Sequence, residues 1–353
     1  MNARFAFVRT RVVVAIAVAA LVGGYAVFVA ARMEKTAQQQ YVTRTMSNFF
    51  TSLNPITQLD TVYSDADGDL LADTPENPAL QNKPQELVFS FITSEDSTNE
   101  PAQWQELMDV IVDKTGIPVS YLRLTDSREQ YEALRNGSLH ITALSTGEVP
   151  AAVNTAGFIP VCCFGRDDGT SGYKMEFVVK ADSPIEKLED LRGKKIAFTR
   201  PRSNSGCKAA AMLLMEEKNL QPELDYQWSY TYGHQGSIDA VVDGEVDAAP
   251  IASDVLARMI AKGEVEEKAI RSIYQSEQFP PAAFGFAYNL TPETQEAIRQ
   301  ALLEFKWDGT KIAAEFGAEG TTKFVPIVFK DDWALVRRVD LAASKARSDL
   351  AMQ

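Results

Sequence analysis

The chain has 353 residues, 45% hydrophobic and 24% charged, a globular balance with apolar material enough for two domains and extra segments. Its formal net charge of −13 argues against nucleic acid or an anionic lipid surface as a broad partner, but not against a small anion held in a local cradle of N–H groups. Two histidines and only Cys162, Cys163 and Cys207, with no histidine–cysteine cluster, argue against a zinc centre.

In chain order, Arg4, Arg9 and Arg11 precede residues 12–30, which carry no charge, and Arg32 follows. That run is long enough to cross a bilayer. The arginine bias sets residues 1–11 as a cytoplasmic end, 12–31 as an uncleaved transmembrane anchor and the rest outside. Cleavage after Ala31, as in a signal peptide, is the alternative. In an oxidising compartment two of the three cysteines can pair; small buried side chains are the plainer reading.

Residues 32–86 read as a polar stalk ending near Asn54-Pro55, followed by an acidic linker broken by Pro75, Pro78 and Pro84. Inside it Asp65, Asp67, Asp69, Asp73 and Glu76 fall at positions 1, 3, 5, 9 and 12 of a calcium-loop spacing. Leu70 holds the sixth position, where such a loop needs glycine, so a solvated acidic turn is the plainer reading.

From Glu86 strands and helices alternate. Strands are expected at 87–91, 119–124 and 139–144, with helices at 104–112 and 128–135 between them. This βαβ pattern implies a parallel sheet with ligands at the carboxyl ends of its strands. Thr93-Ser94 and Ser145-Thr146-Gly147 stand at such ends, suited equally to a ligand and to helix capping. A second series begins after Lys180 and runs to Ile251. The apolar run 282–288 then returns to the first. Crossings near 175–180 and 276–288 would join lobe 1 (87–178 and 279–353) to lobe 2 (179–278) across a cleft.

The most informative stretch is 194–217. A short apolar strand, Ile196-Ala197-Phe198, leads through Ser203, Asn204, Ser205 and Gly206 into a helix rich in alanine and leucine. A helix start offers unpaired N–H groups and positive potential, a cradle for a tetrahedral oxyanion. Arg200, Arg202 and Lys208 flank it. An ordinary serine cap is the alternative.

These segments resemble, in order and spacing, the periplasmic substrate-binding proteins of ABC importers for phosphate, phosphite and phosphonate. The resemblance covers about residues 86–306. It rests on ALRNGSLHITALSTG (133–147), DSPIEKLEDLRGKKIAF (182–198), SNSG (203–206) and YGHQGSIDAVVDGEVDAAPIASD (232–254). It implies an α/β fold of two lobes with two hinge crossings and a binding domain in the periplasm; with the N-terminal transmembrane helix read from residues 12–31, the expectation is a membrane-tethered, single-pass inner-membrane protein. It also implies a phosphorus-oxyanion ligand, an ABC permease as partner, and no cofactor or enzymatic activity. A ligand-sensing ectodomain of the same fold is the alternative.

By the same resemblance Ser203, Asn204, Ser205 and Gly206 grip the oxyanion, Asn204 standing where the family has threonine, and His234 lies near the ligand. Asp254 either meets an amine on the ligand or caps the helix that follows. Asp247 orders the neighbouring loop. The first-lobe loop lacks the family's usual aromatic, and Phe279-Pro280-Pro281-Ala282 lacks the acid expected of an aminophosphonate binder. The ligand expected is therefore compact and amine-free: phosphate, phosphite or methylphosphonate.

Overall fold

The computed structural model describes residues 2–53, 55–92 and 101–351. Two compact units result, Met1–Asn48 and Phe49–Gln353. The first belongs to one unbroken helix, α1 (Asn2–Leu53), so the expected anchor and stalk are continuous. Among the described residues no helix is long and apolar enough to cross a membrane. The side chains of residues 1–20 lie outside the described residues, and the expected span 12–31 falls partly on them.

The second unit contains two sheets. The strands in chain order are β1 (Leu87–Phe91), β2 (Val119–Tyr121), β3 (Ile141–Leu144), β4 (Phe158–Gly165), β5 (Tyr173–Lys180), β6 (Lys195–Phe198), β7 (Gln227–Tyr230), β8 (Ala248–Ala252), β9 (Ile270–Phe279), β10 (Ala283–Ala287) and β11 (Lys323–Pro326). The first sheet has the order β11-β4-β10-β3-β1-β2, the second β7-β6-β8-β5-β9. In the first, β1 is parallel to β2 and β3, while β10 runs antiparallel between β3 and β4. In the second, β6 is parallel to β7 and β8, and β5 is antiparallel to β8 and β9.

The helices of this unit are α2 (Gln105–Thr115), α3 (Ser127–Asn136), α4 (Val149–Ala156), α5 (Ala209–Met212), α6 (His234–Val242), α7 (Ser253–Ala261), α8 (Pro292–Leu303), α9 (Lys311–Phe316), α10 (Phe329–Asp332) and α11 (Ala334–Ala351). Strand β4 is buried along its whole length, as a strand covered on both faces must be. The core of the first lobe is aromatic: Phe89, Phe91, Trp104, Phe164, Phe284, Phe316 and Phe324, with Phe91 and Trp104 ring centroids 4.0 Å apart.

The chain crosses from sheet to sheet at 166–172 and 280–282. Strand β5 already belongs to the second sheet, so the first lobe's strands end at Gly165 rather than at the expected boundary of 178. The reason is local: a turn closed by Arg166 N–H donating to Thr170 O (2.8 Å) and Gly169 N–H donating to Arg166 O (2.9 Å) ends β4 early. Two further boundaries differ. Helix α11, expected with lobe 1, packs on α5 of the second lobe. Residues 60–82, expected to be a free linker, are fastened to the first lobe. Asn82 donates to Asn289 O at 2.7 Å, and Gln295 Nε2 to Thr74 Oγ1 at 2.9 Å.

Candidate functional site

A cavity of about 580 Å³ lies between the sheets, and both lobes line it. From the second lobe comes the turn after β6. Ser203 is its cap, with Oγ accepting from Gly206 N–H at 3.2 Å, and Asn204–Lys208 follow as a wide, π-helical turn leading into α5. Gly206 is required here, because a Cβ would stand 2.1 Å from Thr199 Oγ1. Ser203 Oγ thus accepts in the capping role, which uses a lone pair and not its O–H proton. Asn204 is different: it is 2% exposed, and among the described residues neither its amide oxygen nor its amide nitrogen has a hydrogen-bond partner.

From the first lobe comes the loop after β3. Ser145 and Thr146 both line the cavity. Thr146 Oγ1 donates to Pro280 O at 2.7 Å, and its own carbonyl accepts from Trp333 Nε1 at 3.0 Å, so loop, hinge and C-terminal segment interlock. At Gly147 a Cβ would lie 2.2 Å from Arg202 O and 2.7 Å from Asn204 N, so glycine lets the two loops touch. Lys208, buried behind them, donates to Gly147 O at 2.9 Å and to Asp340 Oδ1 of α11 at 2.5 Å. Burial raises the Asp340 carboxyl above its ordinary range, and Lys208 offsets only part of that.

His234 opens α6 and is buried. Its Nδ1 accepts from Ala252 N–H at 3.2 Å, which leaves the ring proton on Nε2 as a donor. Burial, reinforced by Arg258 and Arg200, holds its pKa down to about 3, so the ring is neutral. Asp254 lines the cavity but is not the helix cap: Ala252 holds that position, and Asp254 sits in the first turn of α7 with Oδ1 accepting from Val255 N–H at 2.9 Å. Asp247 accepts from Lys195 N–H at 2.8 Å, tying the loop before β8 to the start of β6.

Two lining residues, Tyr173 and Arg258, had no signal in the sequence. Tyr173, first residue of β5, is buried in the cleft wall. Burial raises its phenol, opposed by Thr146, Ser205 and Asn204, which lie toward its hydroxyl. It brings an aromatic to the cleft from the hinge strand, although the first-lobe loop has none. Glu148 accepts from Ser127 Oγ at 2.8 Å and from the Tyr131 hydroxyl. Arg202 reaches across from the second lobe, 3.5 Å from Glu148 and 5.6 Å from the Tyr131 ring centroid. Arg258, 7% exposed, lies over the Phe316 ring of the first lobe at 5.7 Å.

Thr93 and Ser94 lie outside the described residues. The acidic segment brings the carboxylates of Asp65, Asp67 and Asp69 within 4.8 Å of one another, without Asp73 or Glu76. Asp73 instead accepts from Ala66 N–H at 2.9 Å, and Leu70 adopts the left-handed φ of 72° that a calcium loop assigns to glycine. All three cysteines are free and buried, and burial pushes the Cys163 and Cys207 thiols up to about 12.

Residues 89–333 match a family described as "ABC transporter, phosphonate, periplasmic substrate-binding protein". The chain is 25% identical over 239 residues to the phosphate-import protein PhnD of Mycolicibacterium smegmatis, covering 65% of this chain and 74% of that one. It is 23% identical over 223 residues to the phosphonates-binding periplasmic protein of Escherichia coli, covering 62% and 66%. In fold it is similar to a binding-protein component of an ABC phosphonate transporter from Pseudomonas aeruginosa, with TM-score 0.64, 19% identity, and 76% and 89% of the two chains covered. It is also similar to PhnD1 of Prochlorococcus marinus in complex with methylphosphonate, with TM-score 0.63, 13% identity, and 74% and 100% covered. With more than half its length matched by a family of binding proteins rather than enzymes, and with the two-lobed fold to go with it, this chain belongs to the periplasmic substrate-binding proteins of ABC phosphonate transporters.

Proposed function

We propose that the interlobe cleft binds a phosphorus oxyanion that keeps one proton, such as hydrogen phosphate or a monoprotonated phosphonate, and presents it to a membrane permease. The observation that carries this reading is Asn204, a buried amide in the cleft wall with both its donor and its acceptor unpartnered. Leaving both groups unpaired is costly, and an oxyanion carrying P–O⁻ and P–OH supplies an acceptor and a donor at once. Sulfate at neutral pH offers only acceptors. The neutral His234 adds an Nε2–H donor, Tyr173 a hydroxyl, and Arg200 and Arg258 the balancing charge. The phosphate and phosphonate named for the relatives agree with this chemistry.

The test is calorimetry of the purified protein with phosphate, phosphite, methylphosphonate, 2-aminoethylphosphonate and sulfate. Tight binding of a phosphorus oxyanion with no heat from sulfate is expected. Sulfate binding as well as the best phosphorus ligand would sink the reading of Asn204.

In the same reading residues 12–31 anchor the protein, an inference from the uncharged run between arginines. The full chain should then pellet with membranes and resist alkaline extraction. Recovery of a soluble form beginning at Arg32 would show a cleaved leader instead.

A further inference from the structure

The end of α1 and the segment after it touch the supports of both ligand loops. Phe49 is fully buried, its ring 4.8 Å from that of Trp228 and 5.5 Å from that of Phe198. Phe198 ends β6, the strand that delivers the oxyanion turn, and Trp228 belongs to β7, the edge of that sheet. Ser52 lines the ligand cavity, and its Oγ lies 2.9 Å from the Tyr230 hydroxyl. Tyr230 in turn meets Cys207 Sγ, inside the turn, at 4.0 Å.

Past Pro55 the chain is held by the other lobe. Asn154 Nδ2 donates to Ile56 O at 2.8 Å, and Asp60 N–H to Asn154 O at 2.8 Å. The Tyr63 hydroxyl donates to Thr155 O at 3.3 Å, and its ring stands edge-on to Tyr288 at 4.9 Å. Asn154 and Thr155 belong to α4, the helix into which Ser145–Glu148 leads.

We infer that residues 49–53 and 55–63 form a strap, a third tie between the lobes, in which Phe49 and Ser52, with Asn154 that receives it, act as positioning residues for the ligand loops. Two short crossings leave the lobes free to rotate about a hinge. A tie fastened behind the oxyanion turn at one end and behind the first-lobe loop at the other restricts how far the cleft opens. Apparent affinity scales with the fraction of protein in the competent, closed form, so the strap strengthens binding without touching the ligand. This role rests on the cleft being the ligand site.

The test uses the full chain in detergent micelles, with spin labels at Glu132→Cys and Leu224→Cys, exposed positions on opposite lobes, while the three native cysteines are buried. The probe is methylphosphonate. In Phe49→Ala the ligand-free distances should lengthen and broaden, the ligand-bound distances should match the parent, and affinity should fall about tenfold. Phe49→Leu should recover most of the loss. Asn154→Ala, which removes the side-chain bond to Ile56 at the other end and leaves the aromatic pocket whole, should move both readouts the same way to a smaller extent, and it carries the test should Phe49→Ala fail to fold. Parent-like distances in the ligand-free variants would overturn the strap, whether or not affinity changed. Failure of the parent to bind any phosphorus oxyanion would overturn the proposed ligand, while the ligand-free distances still judge the strap.

Discussion

Asn204 and His234 are the residues whose chemistry is most exposed to test. Replacing Asn204 with alanine removes the unpartnered amide and should weaken oxyanion binding by about 1–3 kcal/mol with little change in melting temperature, read by calorimetry and thermal melts. Asn204→Asp should abolish binding near neutral pH, since a second anion would face the ligand. His234 is a stability probe. Its folded pKa is depressed to about 3, whereas the unfolded imidazole titrates near ~6.5. Above that pH neither state holds the proton, and the group contributes nothing to pH dependence. Below it the unfolded chain takes up a proton that the folded one refuses, so stability falls as pH drops, by up to about 1.4 kcal/mol per unit from this group. Between pH 7 and 5, His234→Gln should flatten the decline in melting temperature relative to the parent. His140, also depressed by burial, should leave a residual slope in that variant.

At the scale of elements, the two ligand loops and α11 form one interlocked unit. Gly147→Ala places a Cβ against the backbone of Arg202 and Asn204, which belong to the opposite lobe. The lobes should fold but stop short of contact, and binding should weaken about tenfold or more with little change in melting temperature. Gly206→Ala clashes within its own lobe, against Thr199, and should instead destabilise the fold by about 1–3 kcal/mol. Comparing the two variants separates closure from folding. Lys208→Met leaves Asp340 buried without its cation, an expected loss of about 3–5 kcal/mol in denaturant unfolding. The same change frees the Gly147 carbonyl, so it should also loosen the loops.

For the whole molecule the central expectation is closure. Strands β5 and β9 run side by side into the two crossings, a paired ribbon about which the lobes can turn. The residues that meet across the cleft, Arg202 with Glu148 and Arg258 with Phe316, come from opposite lobes. Adding the right oxyanion should lower the radius of gyration in solution scattering. An unchanged value at saturation would remove the hinge from the account.

The order of elements was legible from the sequence because the core strands are apolar runs of strand length, Leu87–Phe91 and Ile141–Leu144 among them, separated by helix-period segments. The turn at Ser203–Gly206 was legible too, through its small polar residues between strand and helix. Their division of labour was not: Ser203 Oγ accepts in the cap, a bond that leaves its O–H proton uncommitted, and among the described residues Asn204 presents an amide without a hydrogen-bond partner. For Asp254 the sequence left ligand contact and helix capping open; Ala252 takes the cap position, and Asp254 lines the cavity. Local pattern therefore determined the α/β alternation and the small polar turn at 203–206, and the resemblance of its motifs determined the family. Only the tertiary structure decided that Tyr173 and Arg258 reach the cavity, that α11 braces the second lobe through Lys208 and Asp340, and that Ser52 meets Tyr230 of one lobe while Ile56 meets Asn154 of the other. Those decisions join residues far apart in the chain, where pairing depends on packing geometry and desolvation rather than on any local period.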